Sequence, residues 1–388
     1  MQEVRNESIT DSSKRFATTS ARMDVCLYGQ QRVNEKDKES LWDLTPNIFL
    51  NPATAFIGLN ASGKTTIMNV VRLALGLLQN ESINHMSVKH ILNGVDKAVL
   101  RIYFADNQKN VNCLETAIVE KRTESDNRFF VIAEEKLWTK PFSRVRTKKQ
   151  LIDFEGMEPI VERTGTEEYL LDDVSLVIGR NKKNNDSLTV CSLLSYTNEN
   201  VLPFTENISM EIVKYLDPTV EKLCFEKVQD KTIIRLKFAE KEEIVLNNSK
   251  ELGLYLSSGT IKGIITFSMA ETVLRTGGCL LVDEIENHFN HEIVATMVRL
   301  FTDRRLNQKG GVILFTTHYP ELLDMFERND NIYIVRNKGG ILPENLSDLL
   351  KRNDIKKSEV YRSDFLKGTA PSYSASMNLK KAIAATIK

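Results

Sequence analysis

The stretch Ala53-Thr54-Ala55-Phe56-Ile57-Gly58-Leu59-Asn60-Ala61-Ser62-Gly63-Lys64-Thr65-Thr66 decides how the rest of the chain is read. Ala53 to Ile57 reads as a short buried strand. From about Gly63 to Leu78, the residues Ile67, Val70, Val71, Ala74, Leu75 and Leu78 recur at helical spacing. Between them, Gly58 to Thr65 fits Gly-x-x-x-x-Gly-Lys-Thr without a mismatch. Glycines let such a loop wrap a phosphate chain, with successive backbone N–H groups and the helix N-terminus turned toward the anion. Lys64 would then reach the β- and γ-phosphates of a nucleotide, and Thr65 would offer its hydroxyl to Mg²⁺. The candidate ATP-binding residues are Gly58, Asn60, Ala61, Ser62, Gly63, Lys64, Thr65 and Thr66. A chance glycine-rich turn is the plain alternative, and the flanking strand and helix argue against it.

A second anchor is Leu280-Leu281-Val282-Asp283-Glu284, an apolar strand ending in two carboxylates. Behind a phosphate loop, Asp283 is the residue that holds Mg²⁺ and Glu284 is placed to polarise an attacking water. Acidic pairs at strand ends are common on surfaces, so the upstream loop is what gives this one meaning. Leu256-Ser257-Ser258-Gly259-Thr260 opens a helix shortly before that strand, and taken alone it reads as an ordinary N-cap. Phe315-Thr316-Thr317-His318 places a histidine after the next apolar strand, where a neighbouring strand would deliver it to the γ-phosphate. A lone histidine in such a place is more often structural.

Working outward, strands are expected at Val99 to Phe104, Thr116 to Lys121, Phe129 to Glu134, Thr232 to Phe238, Cys279 to Val282, Val312 to Phe315 and Ile332 to Val335. Helices are expected near Thr260 to Leu274, His291 to Phe301 and just after Pro320. Short apolar strands separated by helices indicate a parallel sheet covered on both faces. The expected fold is an α/β P-loop core with a mixed α+β insertion. Its parts are a flexible leader (1–22), the N-terminal part of the core (23–135), an inserted lobe (136–250), the C-terminal part of the core (251–340) and a helical tail (341–388).

Composition excludes several classes of function. The chain has 388 residues, 41% hydrophobic and 27% charged, with 52 basic and 52 acidic side chains. That suits a sizeable core and excludes bulk disorder. A zero net charge argues against coating nucleic acid or membrane by bulk electrostatics. No apolar run is long enough to span a bilayer and the N-terminus lacks a signal-peptide core, so a cytoplasmic location without membrane contact is expected. Cys26, Cys113, Cys191, Cys224 and Cys279 are scattered and read as reduced thiols rather than a disulfide framework. Lys140, Arg144, Arg146, Lys148 and Lys149, beside Trp138 and Phe142, could meet nucleic acid. The acidic stretch from Asp153 to Asp173 explains them equally as a solvated, self-paired surface. His288 and His291 lack a third ligand for a metal.

Together the four motifs resemble the ATP-binding-cassette class of ATPases. Gly58 to Thr65 is similar to Walker A, Leu256 to Thr260 to the LSGGQ signature, Asp283-Glu284 to Walker B with the catalytic glutamate, and His318 to the switch histidine. Ser258 and Thr260 depart from that signature. With Asp283-Glu284-Ile285-Glu286-Asn287-His288 and the tail Ser363 to Pro371, they resemble the ATPase heads of the overcoming-lysogenization-defect type and their stand-alone relatives in anti-phage systems such as PARIS and Septu. The resemblance covers roughly 45–80 and 250–375.

The resemblance implies hydrolysis of ATP with Mg²⁺ at composite sites of a dimer or larger assembly. Lys64, Glu284 and His318 would be catalytic, Thr65 and Asp283 would hold the metal, and Ser257, Ser258 and Gly259 would act in trans. Asn290 would lie in the connecting loop, Gln108 is a guess for the glutamine that links site and lobe, and Tyr28 and Trp42 are the aromatics preceding the loop. A separate co-encoded effector such as a nuclease is the expected partner, with nucleic acid as a further possible one. A RecF-type DNA-repair ATPase and a nucleotide-binding module with little turnover stand as alternatives.

Overall fold

A computed structural model describes residues 23–165, 167, 170–194, 208–228, 231–287, 289–337, 339–370 and 373–387. The expected leader over 1–22, His288 and Pro371 lie outside the described residues. The chain is mixed α/β and divides into two units. The first holds the described residues of Met1–Leu188 and Leu314–Lys388, the second Thr189–Ile313. The two boundaries, after Leu188 and after Ile313, fall inside the stretches 136–250 and 251–340.

The first unit opens with an antiparallel hairpin of β1 (Trp42–Thr45) and β2 (Ile48–Leu50), and β3 (Ala53–Ile57) leads through a loop into α1 (Lys64–Leu78). All five residues of β3 are buried, as a strand covered on both faces requires. Next, β4 (Lys97–Ala105), β5 (Asn110–Arg122) and β6 (Arg128–Pro141) run antiparallel, followed by α2 (Lys148–Ile152), the short β7 (Val161–Glu162) on β6, and α3 (Val177–Asn184). Ion pairs join facing residues along these ladders, Arg101 with Glu115, and Lys136 with Glu162 at 2.7 Å.

In the second unit the elements are β8 (Val190–Ser192), α4 (Met210–Leu216), β9 (Val220–Val228), β10 (Lys231–Phe238), β11 (Ile244–Leu246), α5 (Ser258–Thr276), β12 (Cys279–Val282) and α6 (His291–Thr302). β12 pairs in parallel with β8, placing Leu280 opposite Cys191. β10 lies between β9 and β11 in an antiparallel sheet. A methyl group at Gly263 would meet Leu216 at 2.6 Å, so the glycine lets α5 approach α4 closely.

β13 (Val312–Thr317) returns the chain to the first unit, where β14 (Ile332–Asn337), β15 (Ile341–Asn345), α7 (Leu346–Leu349), α8 (Lys357–Arg362) and α9 (Tyr373–Thr386) follow. β14 is parallel to β3 and antiparallel to β15, so the sheet is mixed rather than wholly parallel. The stretch 341–388, expected to be helical, begins as a strand. Gly339 at φ +76° belongs to the reversal, and Arg336 pairs with Glu344 across the two strands.

The core of this unit ties distant segments together. Phe56 stacks on Tyr333 with centroids 5.3 Å apart, and the Tyr333 hydroxyl accepts the Cys26 N–H at 2.7 Å. Arg328 is 3% exposed. It pairs with Asp330 at 2.5 Å and Asp37 at 2.8 Å, and donates to the carbonyls of Gln31 and Arg32.

Candidate active site

The loop between β3 and α1 is shaped by its glycines. Gly63, the N-cap of α1, sits at φ +98°, and Ala61 is also left-handed at φ +60°. A methyl group at Gly58 would meet the Val335 carbonyl oxygen at 2.4 Å and Ser62 Oγ at 2.5 Å. The loop therefore lies flush against β14, with no room for a side chain on that wall.

Lys64 folds back over the loop. Its Nζ donates to the carbonyls of Gly58 at 2.9 Å and Leu59 at 3.2 Å, and lies 3.4 Å from His318 Nδ1. Asn60, Ala61 and Thr65 are exposed around it, and Gly63 and Thr66 are half-buried. Ser62 Oγ is buried without a hydrogen-bond partner among the described residues. A phosphate oxygen would satisfy such an orphaned hydroxyl, and the start of α1 adds N–H groups that also seek an acceptor. These residues fit a nucleotide's phosphate chain.

The second unit holds the carboxylates. β12 is buried throughout and ends at Asp283, itself buried, and Glu284. Glu284 is left-handed at φ +48°, and its Oε2 accepts from Asn287 Nδ2 at 2.5 Å. A cavity of about 30 Å³ is lined by Asp283, Glu284, Asn287, Lys262, Thr266 and their apolar neighbours, which is room for a water molecule. Lys262 on α5 is a residue that motif reading overlooks, because it looks like a stray charge in an apolar helix. Burial pushes its ammonium down from the ordinary lysine value.

Ser257 stands outside that lining. It is the N-cap of α5, its Oγ accepting the Thr260 N–H at 3.0 Å, and it is exposed behind the exposed Leu254 and Tyr255, with Ser258 and Gly259 half-buried after it. Asn290 caps α6 by accepting the Ile293 N–H at 3.0 Å. Among the described residues no group of three or more His, Cys, Asp or Glu is arranged to hold a metal.

The remaining candidates are placed as follows. Gln108 lies exposed in the turn between β4 and β5, where its N–H donates to Asp106. Tyr28 and Trp42 pack on a cluster with Leu44, Ile48 and Val145, and Trp42 and Phe142 face a groove of about 700 Å³ that also takes Lys109 and Arg146. Of the basic stretch, Lys140 is spent internally, bonding the Asp153 carbonyl and lying 3.8 Å from the Phe154 ring centroid. Lys148 donates to the carbonyls of Gln30 and Gln31, while Arg144, Arg146 and Lys149 remain exposed.

Comparison with known proteins adds a family. The model of the AAA domain matches residues 43–257, from the hairpin before the phosphate loop to Ser257. The chain belongs to the AAA domain family. This AAA domain protein is similar to a solved SMC head domain from Thermotoga maritima at 9% identity and a TM-score of 0.37, over 79% of this chain and 96% of that one. No curated protein matches the chain. Among the described residues of this AAA domain protein, no helix is long and apolar enough to cross a membrane.

Proposed function

We propose that this chain hydrolyses ATP at composite sites between two copies of itself. The observation that carries the reading is Lys64, held over the loop by two carbonyls with His318 Nδ1 3.4 Å away. Two nitrogen-bearing groups lie side by side there, which suits binding of a γ-phosphate, and the Ser62 hydroxyl of the same loop is unsatisfied among the described residues. Lys64 binds the phosphates, His318 orients the terminal one, and Glu284 takes a proton from the attacking water. Mg²⁺, when bound, neutralises charge on the β- and γ-phosphates, and Thr65 and Asp283 are the residues that would hold it. Ser257, Ser258 and Gly259 cover the γ-phosphate of the partner copy, a role that suits their exposed to half-buried position at the start of α5.

The test mixes two inactive variants. Lys64→Ala and Ser257→Arg each spoil every site of their own assembly, but a mixed dimer keeps one site with both halves intact. Phosphate release should return on mixing and be absent from either parent. If mixed dimers form and release no phosphate, the shared site is lost as a reading.

The wider role follows from the resemblance around Asp283 to Asn287: the ATPase is the sensor or scaffold of an anti-phage system and controls a separate effector, such as a nuclease. A second reading, direct binding of nucleic acid as in DNA repair, is favoured by one observation. Exposed Arg146, with Lys109, lines the groove that holds Trp42 and Phe142. Salt-sensitive binding of single-stranded DNA, lost in Arg146→Glu, would support it.

A further inference from the structure

His318 is followed almost at once by a 3₁₀ turn, Pro320–Met325. Six residues is long for a 3₁₀ segment, whose hydrogen bonds are poorer than those of an α-helix, so such a turn depends on what packs against it. Here that is α8. The Asp324 carboxylate accepts the Ser358 N–H at 2.9 Å and the Ser358 hydroxyl at 2.5 Å. Ser358 is in the first turn of α8, where N–H groups lack intrahelical partners, and the N-cap residue Lys356 makes no side-chain cap bond. Asp324 thus stands in for the missing cap, with a charge of the sign a helix N-terminus favours. Ser358 is 1% exposed, so water does not compete for the bond.

Other contacts fix the same turn. Arg362 at the end of α8 pairs with Glu321, and Leu322 and Leu323 are fully buried. Phe326 stacks on Phe315 with centroids 6.3 Å apart, three residues before His318 on β13. The histidine therefore sits between a buried strand and a turn locked from outside by a helix near the chain's end.

We infer that Asp324 and Ser358 are positioning residues for His318, and that through them α8 sets the aim of the imidazole at the γ-phosphate. The inference rests on the role proposed above for His318. Displacement of a catalytic group by about 1 Å costs on the order of 100-fold in rate, which is the scale the lock protects.

The experiment measures ATP hydrolysis, ATP binding and thermal melting on the full chain carrying Ser358→Ala, Asp324→Asn, His318→Ala, or His318→Ala combined with either of the first two. The expected result is a kcat lowered about 10- to 100-fold by Ser358→Ala with KM and ATP binding within twofold. Neither lock variant should lower kcat further once His318 is alanine. Asp324→Asn, which keeps an acceptor for the Ser358 N–H, reports the same pattern more mildly if Ser358→Ala does not fold. A melting temperature that drops while kcat holds would make the lock merely structural and overturn the inference. Undiminished losses on the slow His318→Ala background would overturn it while leaving the reading of His318 intact. A His318→Ala protein turning over at the wild-type rate would remove that reading and the inference with it.

Discussion

Gly63 packs against Ile341 so closely that a methyl group on the glycine would lie 2.6 Å from the isoleucine side chain. Gly63 also holds φ +98°, a conformation that costs other residues roughly 1–3 kcal/mol. Gly58 differs, since its methyl group would strike the Val335 carbonyl oxygen at 2.4 Å, which is backbone. Gly63→Ala should therefore weaken ATP binding and be partly rescued by Ile341→Ala, which clears the clash but not the strain. Gly58→Ala should gain nothing from Ile341→Ala. Nucleotide titrations of the four proteins check this, and equal rescue of both glycines would refute the assignment of the walls.

Arg328 offers a test of stability rather than binding. Its guanidinium joins Asp330, Asp37 and two carbonyls of the N-terminal segment, all within 3.2 Å. Removing one member of a buried ion pair leaves the other charge without compensation, at about 3–5 kcal/mol. Arg328→Ala should lower the midpoint of denaturant unfolding accordingly, and Asp37→Asn, at the outer edge of the cluster, should cost less. A midpoint unchanged by Arg328→Ala would mean that the cluster does not hold the N-terminal segment.

The cysteines give a prediction in pH. Burial pushes the Cys279 thiol up to about 11 and raises Cys191 as well. A thiol raised by folding favours its protonated form there. Its contribution to stability is complete below the ordinary thiol value, near about 8.5, and is lost as pH rises through about 11. Melting temperatures should fall less steeply across that window in Cys279→Ala than in the wild type. At pH 8, iodoacetamide should label half-buried Cys224, reach half-buried Cys191 more slowly because its thiol is raised, and spare Cys26, Cys113 and Cys279 until denaturant is added.

Legibility followed locality. β3, its loop and α1 could be read directly because strand burial, glycine spacing and helical periodicity all lie within one short stretch. β12 and β13 were equally plain, as apolar runs bounded by polar residues. β15 was hidden, since Pro343, Glu344 and Asn345 carry no alternating pattern, and Glu344 makes sense only beside Arg336. The basic stretch read as a surface, yet Lys140 turns inward because Phe154 and the Asp153 carbonyl wait for it, which spacing alone does not reveal. Motif order marked His318, whereas Asp324 and Ser358 meet across 34 positions and leave no local trace.

The bond from Cys26 to Tyr333 bears on how the protein is made. These residues are 307 positions apart, and the same strand, β14, pairs with β3 directly ahead of the phosphate loop. At about 5–20 residues per second, a ribosome that has released Cys26 needs roughly 15–60 s more to release Tyr333. During that interval β3, buried throughout in the folded chain, lacks its neighbour β14, while the antiparallel ladder of β4, β5 and β6 can already close from adjacent chain. Until β14 is made, the edge of β3 beside the phosphate loop lacks its strand partner. Unpaired strand edges invite chaperone binding and aggregation, so both would be expected to concentrate there while β14 is unmade.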